Sequence, residues 1–136
     1  MTVLVDTGVF VSAADGDEPR HGECSGVLTS RRGQLLTTAP VVAETAWLIE
    51  DRLGPAAEAC YLTMVINDLR VVDLTTVDYR RCIELIHNYA DMGLGLVDAS
   101  VVAVAERLTV TTVATLNHRD FRVVRPAHCD AFELVP

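Results

Sequence analysis

Short apolar runs alternate along the chain with longer stretches whose apolar residues recur at helical spacing. Val3 to Asp6 reads as a short, fully buried strand, and Val9 to Ala14 as the start of a helix after it. Glu18 to Arg31 predicts a second helix stopped by Gly33, followed by a strand over Gln34 to Thr38. Pro40 at a first helical position and Gly54 just past the end bracket a helix over Pro40 to Arg52. Within it, Val42, Ala46, Ile49 and Leu53 fall on one face. Beyond lie a helix (Ala56 to Asn67), a strand (Leu69 to Asp73), a helix (Thr76 to Tyr89) and a loop (Asp91 to Gly95). A Val- and Ala-rich helix (Val97 to Leu108), a strand (Val110 to Leu116) and a short final strand (Arg122 to Arg125) complete the pattern. Apolar strands alternating with helices indicate an α/β fold with a parallel sheet covered on both faces.

Composition narrows this further. With 136 residues, half of them hydrophobic, and a mean hydropathy of +0.29, the expectation is one domain over 1–136 with a sizeable core. No apolar stretch reaches the roughly 20 residues of a membrane span. The N-terminus lacks the basic region of a signal peptide. Cys24, Cys60, Cys82 and Cys129 are widely spaced, which fits neither a zinc framework nor a secreted disulfide pattern and favours a reducing cytoplasm. The net charge of −8 argues against general adhesion to a nucleic-acid backbone. All 11 basic residues are arginines, whose planar forks grip phosphate bidentately, and several are clustered.

Three acids stand out because their neighbours are apolar or small. Asp6 follows Val3-Leu4-Val5, Glu44 interrupts Val41-Val42-Ala43 and Thr45-Ala46-Trp47, and Asp98 lies between Gly95-Leu96-Val97 and Ala99-Ser100-Val101. A charge in such surroundings is costly unless paired or bound to a cation. The chain has no lysine, so a divalent metal is the natural partner. In open parallel sheets ligands bind beyond the carboxyl ends of the strands. Asp6 closes the first strand, Glu44 lies one turn into the helix after the second, Asp98 opens a helix, and Asn117 follows the fourth strand. Hard oxygen ligands of this kind suit Mg²⁺ or Mn²⁺.

Each acid also has a plain structural reading: Asp6 and Asp98 as helix N-caps, Glu44 on a solvated helix face. Asp15, Asp17 and Glu18 read as a solvated loop, and Asp51, Asp68, Asp73 and Asp78 as residues that cap or end elements. His21, His87, His118 and His128 have no partner at ligand spacing.

Four motifs taken in order resemble the PIN-domain ribonucleases, and within them the VapC-type toxins of type II toxin–antitoxin modules. They are Val3-Leu4-Val5-Asp6-Thr7, Thr38-Ala39-Pro40-Val41-Val42-Ala43-Glu44, Leu94-Gly95-Leu96-Val97-Asp98-Ala99-Ser100, and Ala114-Thr115-Leu116-Asn117-His118-Arg119-Asp120-Phe121. The resemblance implies a three-layer sandwich with five short parallel strands between helices, Mg²⁺ or Mn²⁺ at an acidic cluster, and endonucleolytic cleavage of a structured RNA loop. That loop would be the sarcin–ricin loop of rRNA or a tRNA anticodon loop. It also implies a homodimer inhibited by a VapB-type antitoxin, through which the complex binds operator DNA.

Carried onto this chain, Asp6, Glu44, Asp98 and Asn117 would be the catalytic residues. Asp6 and Asp98 would hold the metal with Glu44 in reach, and Thr7, Thr115 and Asp120 would support them. Arg20 and Arg119 are candidate RNA phosphate contacts. The chain departs from the family pattern at Gly8, where Asn or Ser is usual, and at Asn117, where a fourth acid is usual. A catalytically degenerate PIN fold that only binds RNA or protein is therefore the rival reading. Phosphatases of the haloacid-dehalogenase type and response-regulator receivers also place an Asp at a strand end, but both need a lysine this chain does not have.

Overall fold

Strands of three or four residues, rich in Val, Leu and Thr, alternate with helices in the computed structural model, which describes residues 1–136. In chain order these are β1 (Val3–Val5), α1 (Thr7–Ala14), α2 (His21–Ser30), β2 (Leu35–Thr38), α3 (Ala39–Leu53), α4 (Pro55–Asp68), β3 (Arg70–Val72) and α5 (Thr76–Asn88). A single 3-10 turn at Ala90–Met92 leads into α6 (Leu96–Leu108), β4 (Thr112–Ala114), α7 (His118–Val123) and β5 (Glu133–Val135). All five strands are parallel, in the order β3-β2-β1-β4-β5.

The sheet explains the sequence pattern. β1, β2 and β4 are buried along their whole length, as strands covered on both faces must be. The edge strand β3 leaves Arg70 and Val71 exposed. Helix α6 is buried continuously from Ala99 to Ala105, and its small side chains let it lie close over β1 and β2. The buried apolar residues form one cluster of 28. No helix is long and apolar enough to cross a membrane.

Three expectations need correction. Arg122 to Arg125 is not a strand: α7 runs through Val123, with Phe121 and Val124 buried three residues apart, and the last strand is Glu133–Val135. The two adjacent valines mimicked a strand, but Asn117 caps a helix before them. The second helix begins at His21, because Pro19 and the turn at Glu18 delay it. The fully buried stripe of α3 is Val41, Thr45 and Ile49; of the expected face Ile49 is buried, Val42 and Ala46 only partly so, and Leu53 is 39 % exposed.

Asp78 shows how this fold accommodates a buried charge. Its carboxylate is 2 % exposed, accepts the Thr75 backbone N–H at 3.0 Å in a capping box, and is gripped by Arg107 Nη2 at 2.9 Å. Burial pushes its pKa up, but the Arg107 and Thr75 hydrogen bonds outweigh burial and hold it below the usual carboxylate value. A depressed folded-state pKa contributes stability above the unfolded value of about 4, and that stability is lost as pH falls through the folded value. Replacing Asp78 by Ala is therefore expected to cost about 2 kcal/mol at pH 7, with the difference shrinking below about pH 4. Urea unfolding at both pH values checks this, and equal midpoints at pH 7 would refute it.

Candidate active site

The strand order reverses at β1. The chain builds β1, β2 and β3 outward on one side, then returns to lay β4 and β5 on the other. The crevice beyond the carboxyl ends of β1 and β4 is thus the topological switch point, where open parallel sheets bind ligands. Asp6 leaves β1 at this point, its N–H donating to Ala114 O at 2.8 Å. Its side chain is 6 % exposed and accepts a hydrogen bond from Thr115 Oγ1 at 2.9 Å. Asp6 occupies the N-cap position of α1 but its side chain makes no capping bond, so capping does not account for it.

The network continues along the chain after β4. Thr115 Oγ1 accepts the Asn117 N–H at 3.0 Å. Asn117 caps α7, its Oδ1 accepting the Asp120 N–H at 3.4 Å, while its Nδ2 donates to Asp120 Oδ2 at 2.9 Å. Asp6, Thr115, Asn117 and Asp120 are therefore linked in one hydrogen-bonded row.

Asp98 faces this row from the first turn of α6, where it makes no cap either. Burial, followed by the charges of Asp6, Asp120 and Glu44, pushes its pKa up to about 7. Burial also raises the pKa of Asp6, partly offset by the Thr7 N–H and the Thr115 hydroxyl and reinforced by Glu44. Four acids from four elements thus share one electrostatic site. Glu44 is the exposed member, on α3.

Two residues that fix this arrangement were not singled out from sequence. Ser100 Oγ donates to Val97 O at 2.6 Å and pairs with Thr38 Oγ1 at 2.9 Å. With the Ser100 proton committed to Val97, Thr38 is the donor, leaving its oxygen to accept the Val41 N–H at the start of α3. The N-terminal ends of α3, with Glu44 in its second turn, and of α6, with Asp98 in its first, are pinned together by these hydroxyls. The signal was present as Thr38 and Ser100 within the same motifs as Glu44 and Asp98, but only the pairing across 62 residues gives it meaning.

The two arginines separate. Arg119 lies at the rim, 85 % exposed, with Nε 3.3 Å from Asp120 Oδ1. Arg20 is paired with Glu23 on α2, and none of its hydrogen bonds or ion pairs reaches the acids. Gly8 is not required for space, since a Cβ there would meet Leu116 only at ordinary contact distance, 3.6 Å.

The donor set fits a hard, hydrated divalent cation. Carboxylates, an amide and hydroxyls line it, and no lysine is available to neutralise it. The hydroxyl of Thr7, next to Asp6, is buried without a protein hydrogen-bond partner, as suits a group that meets a metal-bound water. No group of three Asp, Glu, His or Cys side chains is placed to hold a metal ion among them. Mg²⁺ characteristically binds through one or two carboxylates and keeps several waters, so an open cluster suits it.

Comparison with known proteins gives a consistent picture. The PIN domain family model matches residues 3–125. Ribonuclease VapC26 of Mycobacterium tuberculosis is 27 % identical over 135 residues, covering 98 % of this chain and all of the relative. Among solved structures, Mycobacterium tuberculosis VapC20, described as a sarcin–ricin loop cleaving toxin, superposes with a TM-score of 0.76 at 21 % identity, covering 82 % of this chain and 87 % of its own. VapBC2 of Rickettsia felis, bound to a DNA fragment from its promoter, gives 0.72 at 17 % identity with both chains fully covered. DNA-bound VapBC of Salmonella typhimurium gives 0.71 at 16 % identity, covering 98 % of this chain and 96 % of its own.

Because the folded-state pKa of Asp98 is raised, its ionised form opposes folding. The metal-free fold should gain stability as pH falls from about 7 towards 4, opposite in sign to Asp78. In EDTA at pH 8, Asp98→Asn is expected to stabilise the protein by about 2 kcal/mol, allowing for screening at a half-buried group. Thermal unfolding measures this. A variant no more stable than the parent would contradict the like-charge repulsion.

Proposed function

The chain belongs to the PIN-domain family, and from that premise we propose that it is the toxin endoribonuclease of a VapBC-type toxin–antitoxin module, with residues 1–136 acting as one domain. It hydrolyses phosphodiester bonds in a structured RNA loop with Mg²⁺ or Mn²⁺ as cofactor, and so inhibits translation. The observation that carries this reading is the buried Asp6, held by Thr115 at the switch point and surrounded by Glu44, Asp98 and Asp120.

Asp6 and Asp98 are the proposed metal ligands. A divalent cation held there supplies charge stabilisation to the phosphoryl oxygens and a more acidic water. Thr115 fixes the Asp6 carboxylate so that one oxygen stays directed by its hydrogen bond and the other is left for ligation. Glu44, exposed and unburdened by a partner, orients the attacking water and accepts its proton. Arg119 at the rim meets the RNA phosphate, exchanging a screened contact with Asp120 for a bidentate one. Arg20, engaged with Glu23, takes at most an outlying place on the RNA path.

Loops suit such a site because their bases are unstacked and can be splayed out. The sarcin–ricin loop, which Mycobacterium tuberculosis VapC20 is described as cleaving, is the first substrate to test, and a tRNA anticodon loop the second. A VapB-type antitoxin is the proposed partner and a homodimer the proposed toxin form. The assembled complex binds operator DNA through the antitoxin, in keeping with the DNA-bound VapBC relatives.

Incubation of total RNA with the purified protein tests the reading. A discrete fragment is expected with Mg²⁺ or Mn²⁺, none with EDTA, and a loss of at least about a hundredfold in rate with Asp6→Ala. Cleavage unaffected by EDTA or by Asp6→Ala would overturn it, and metal binding without cleavage of any RNA would favour the binding-only rival.

A further inference from the structure

Cations are scarce in this molecule and most are spent. Of the 11 arginines, Arg20, Arg32, Arg52, Arg81 and Arg107 pair with carboxylates outside the acidic cluster. Arg119, Arg122 and Arg125 instead stand on one short stretch that starts at the rim of that cluster, and all three are exposed. Arg122 and Arg125 make no ion pair, and Arg119 makes only the solvent-screened contact with Asp120 at 3.3 Å. We infer that these three arginines form a track for the RNA backbone, along which the strand leaves the site over α7, an inference that rests on the function proposed above.

The local structure presents them together. On α7, Arg119 and Arg122 are three residues apart and share a face, while Phe121 and Val124 are buried on the other side. The chain then turns extended at Val124 (φ −63°, ψ 135°), and buried Val124 and Pro126 leave Arg125 exposed between them. Pro126 also holds Arg125 away from helical geometry. The Arg125 N–H donates to Tyr89 Oη at 2.8 Å, which ties this stretch to the start of the segment leading into α6 and Asp98. A cation in the last turn suits the helix dipole, but that accounts only for Arg122, not for Arg119 near the opposite end or Arg125 beyond it. The chain carries 19 acids, yet none but Asp120 pairs with this stretch. A site built from carboxylates repels a polyanion, so attraction for the RNA has to come from cations beside it. Guanidinium forks match phosphate oxygens bidentately, and a strand crossing the rim meets the three in succession.

Fluorescence anisotropy of the full chain with a labelled single-stranded oligouridylate, in EDTA and over about 50 to 200 mM salt, tests this without recourse to cleavage. The slope of log Kd against log salt is expected to fall by about 0.7 for each of Arg122→Gln and Arg125→Gln, and affinity to drop about tenfold in the double variant. Both side chains are exposed, so thermal unfolding is expected to match the parent. Arg122→Lys with Arg125→Lys keeps the charge and is expected to restore the slope. Arg70→Gln removes an unpaired arginine from the far edge strand β3, and is expected to leave the slope unchanged. An equal loss in Arg70→Gln would reduce the effect to net charge and overturn the inference. An unchanged slope in the double variant, beside a parent that cleaves total RNA with Mg²⁺, would overturn it while leaving the proposed function standing. A parent that does not bind the oligonucleotide would also overturn the track, and one that in addition cleaves no RNA would overturn both.

Discussion

A carboxylate buried at the end of the central strand is the constraint around which the rest of this molecule is arranged. Asp6 follows β1 because the chain must leave the sheet there, and β1 is central because its partners are added on both sides. Burying that charge costs several kcal/mol unless something compensates it. Thr115, just past the end of the neighbouring strand β4, supplies one hydrogen bond across 109 residues of sequence. The remaining surroundings make the cost larger, since Glu44 adds a like charge and Asp6 in turn opposes the charge of Asp98. A fold does not retain such a group for stability, and the arrangement makes physical sense as one half of a cation site.

The contrast with Asp78 makes the point within one chain. Both aspartates are almost fully buried and both lie near a helix start. Asp78 receives an arginine and a backbone N–H, and its charge is welcome. Asp6 receives only a neutral hydroxyl and the Thr7 N–H, which burial and the like charge of Glu44 outweigh, so its charge is opposed. Nearby, the Arg81–Glu106 pair at 2.8 Å repeats the Asp78 solution on α5 and α6. The arginines that could have neutralised the acidic cluster are spent on such pairs or stand at its rim.

Much of this was legible in the amino-acid sequence because the physics is local. Continuous apolar runs mark strands buried on both faces, Pro40 and Gly54 punctuate α3, and an acid directly after β1 must lie at the sheet edge. What was not legible depends on tertiary context. Val123 and Val124 have the composition of a strand, but an Asn cap and the burial of Phe121 make the segment helical, and β5 forms instead from Glu133–Val135 against β4. The inward face of α3 was partly misplaced because Thr45, a polar residue, is fully buried there. Thr38 and Ser100 looked merely small until the fold paired them. The same holds for Asp120, whose relation to Asn117 is set by a side-chain bond that spacing alone does not specify.

The account stands or falls on whether Asp6 and Asp98 share a cation. Crystals grown in EDTA and then transferred to Mn²⁺ at pH 8, with anomalous diffraction collected before and after, address this directly. The account predicts an anomalous peak beyond the ends of β1 and β4, touching both Asp6 and Asp98. An Mn²⁺-soaked crystal with no peak at this edge, or with manganese bound only elsewhere on the surface, would contradict it.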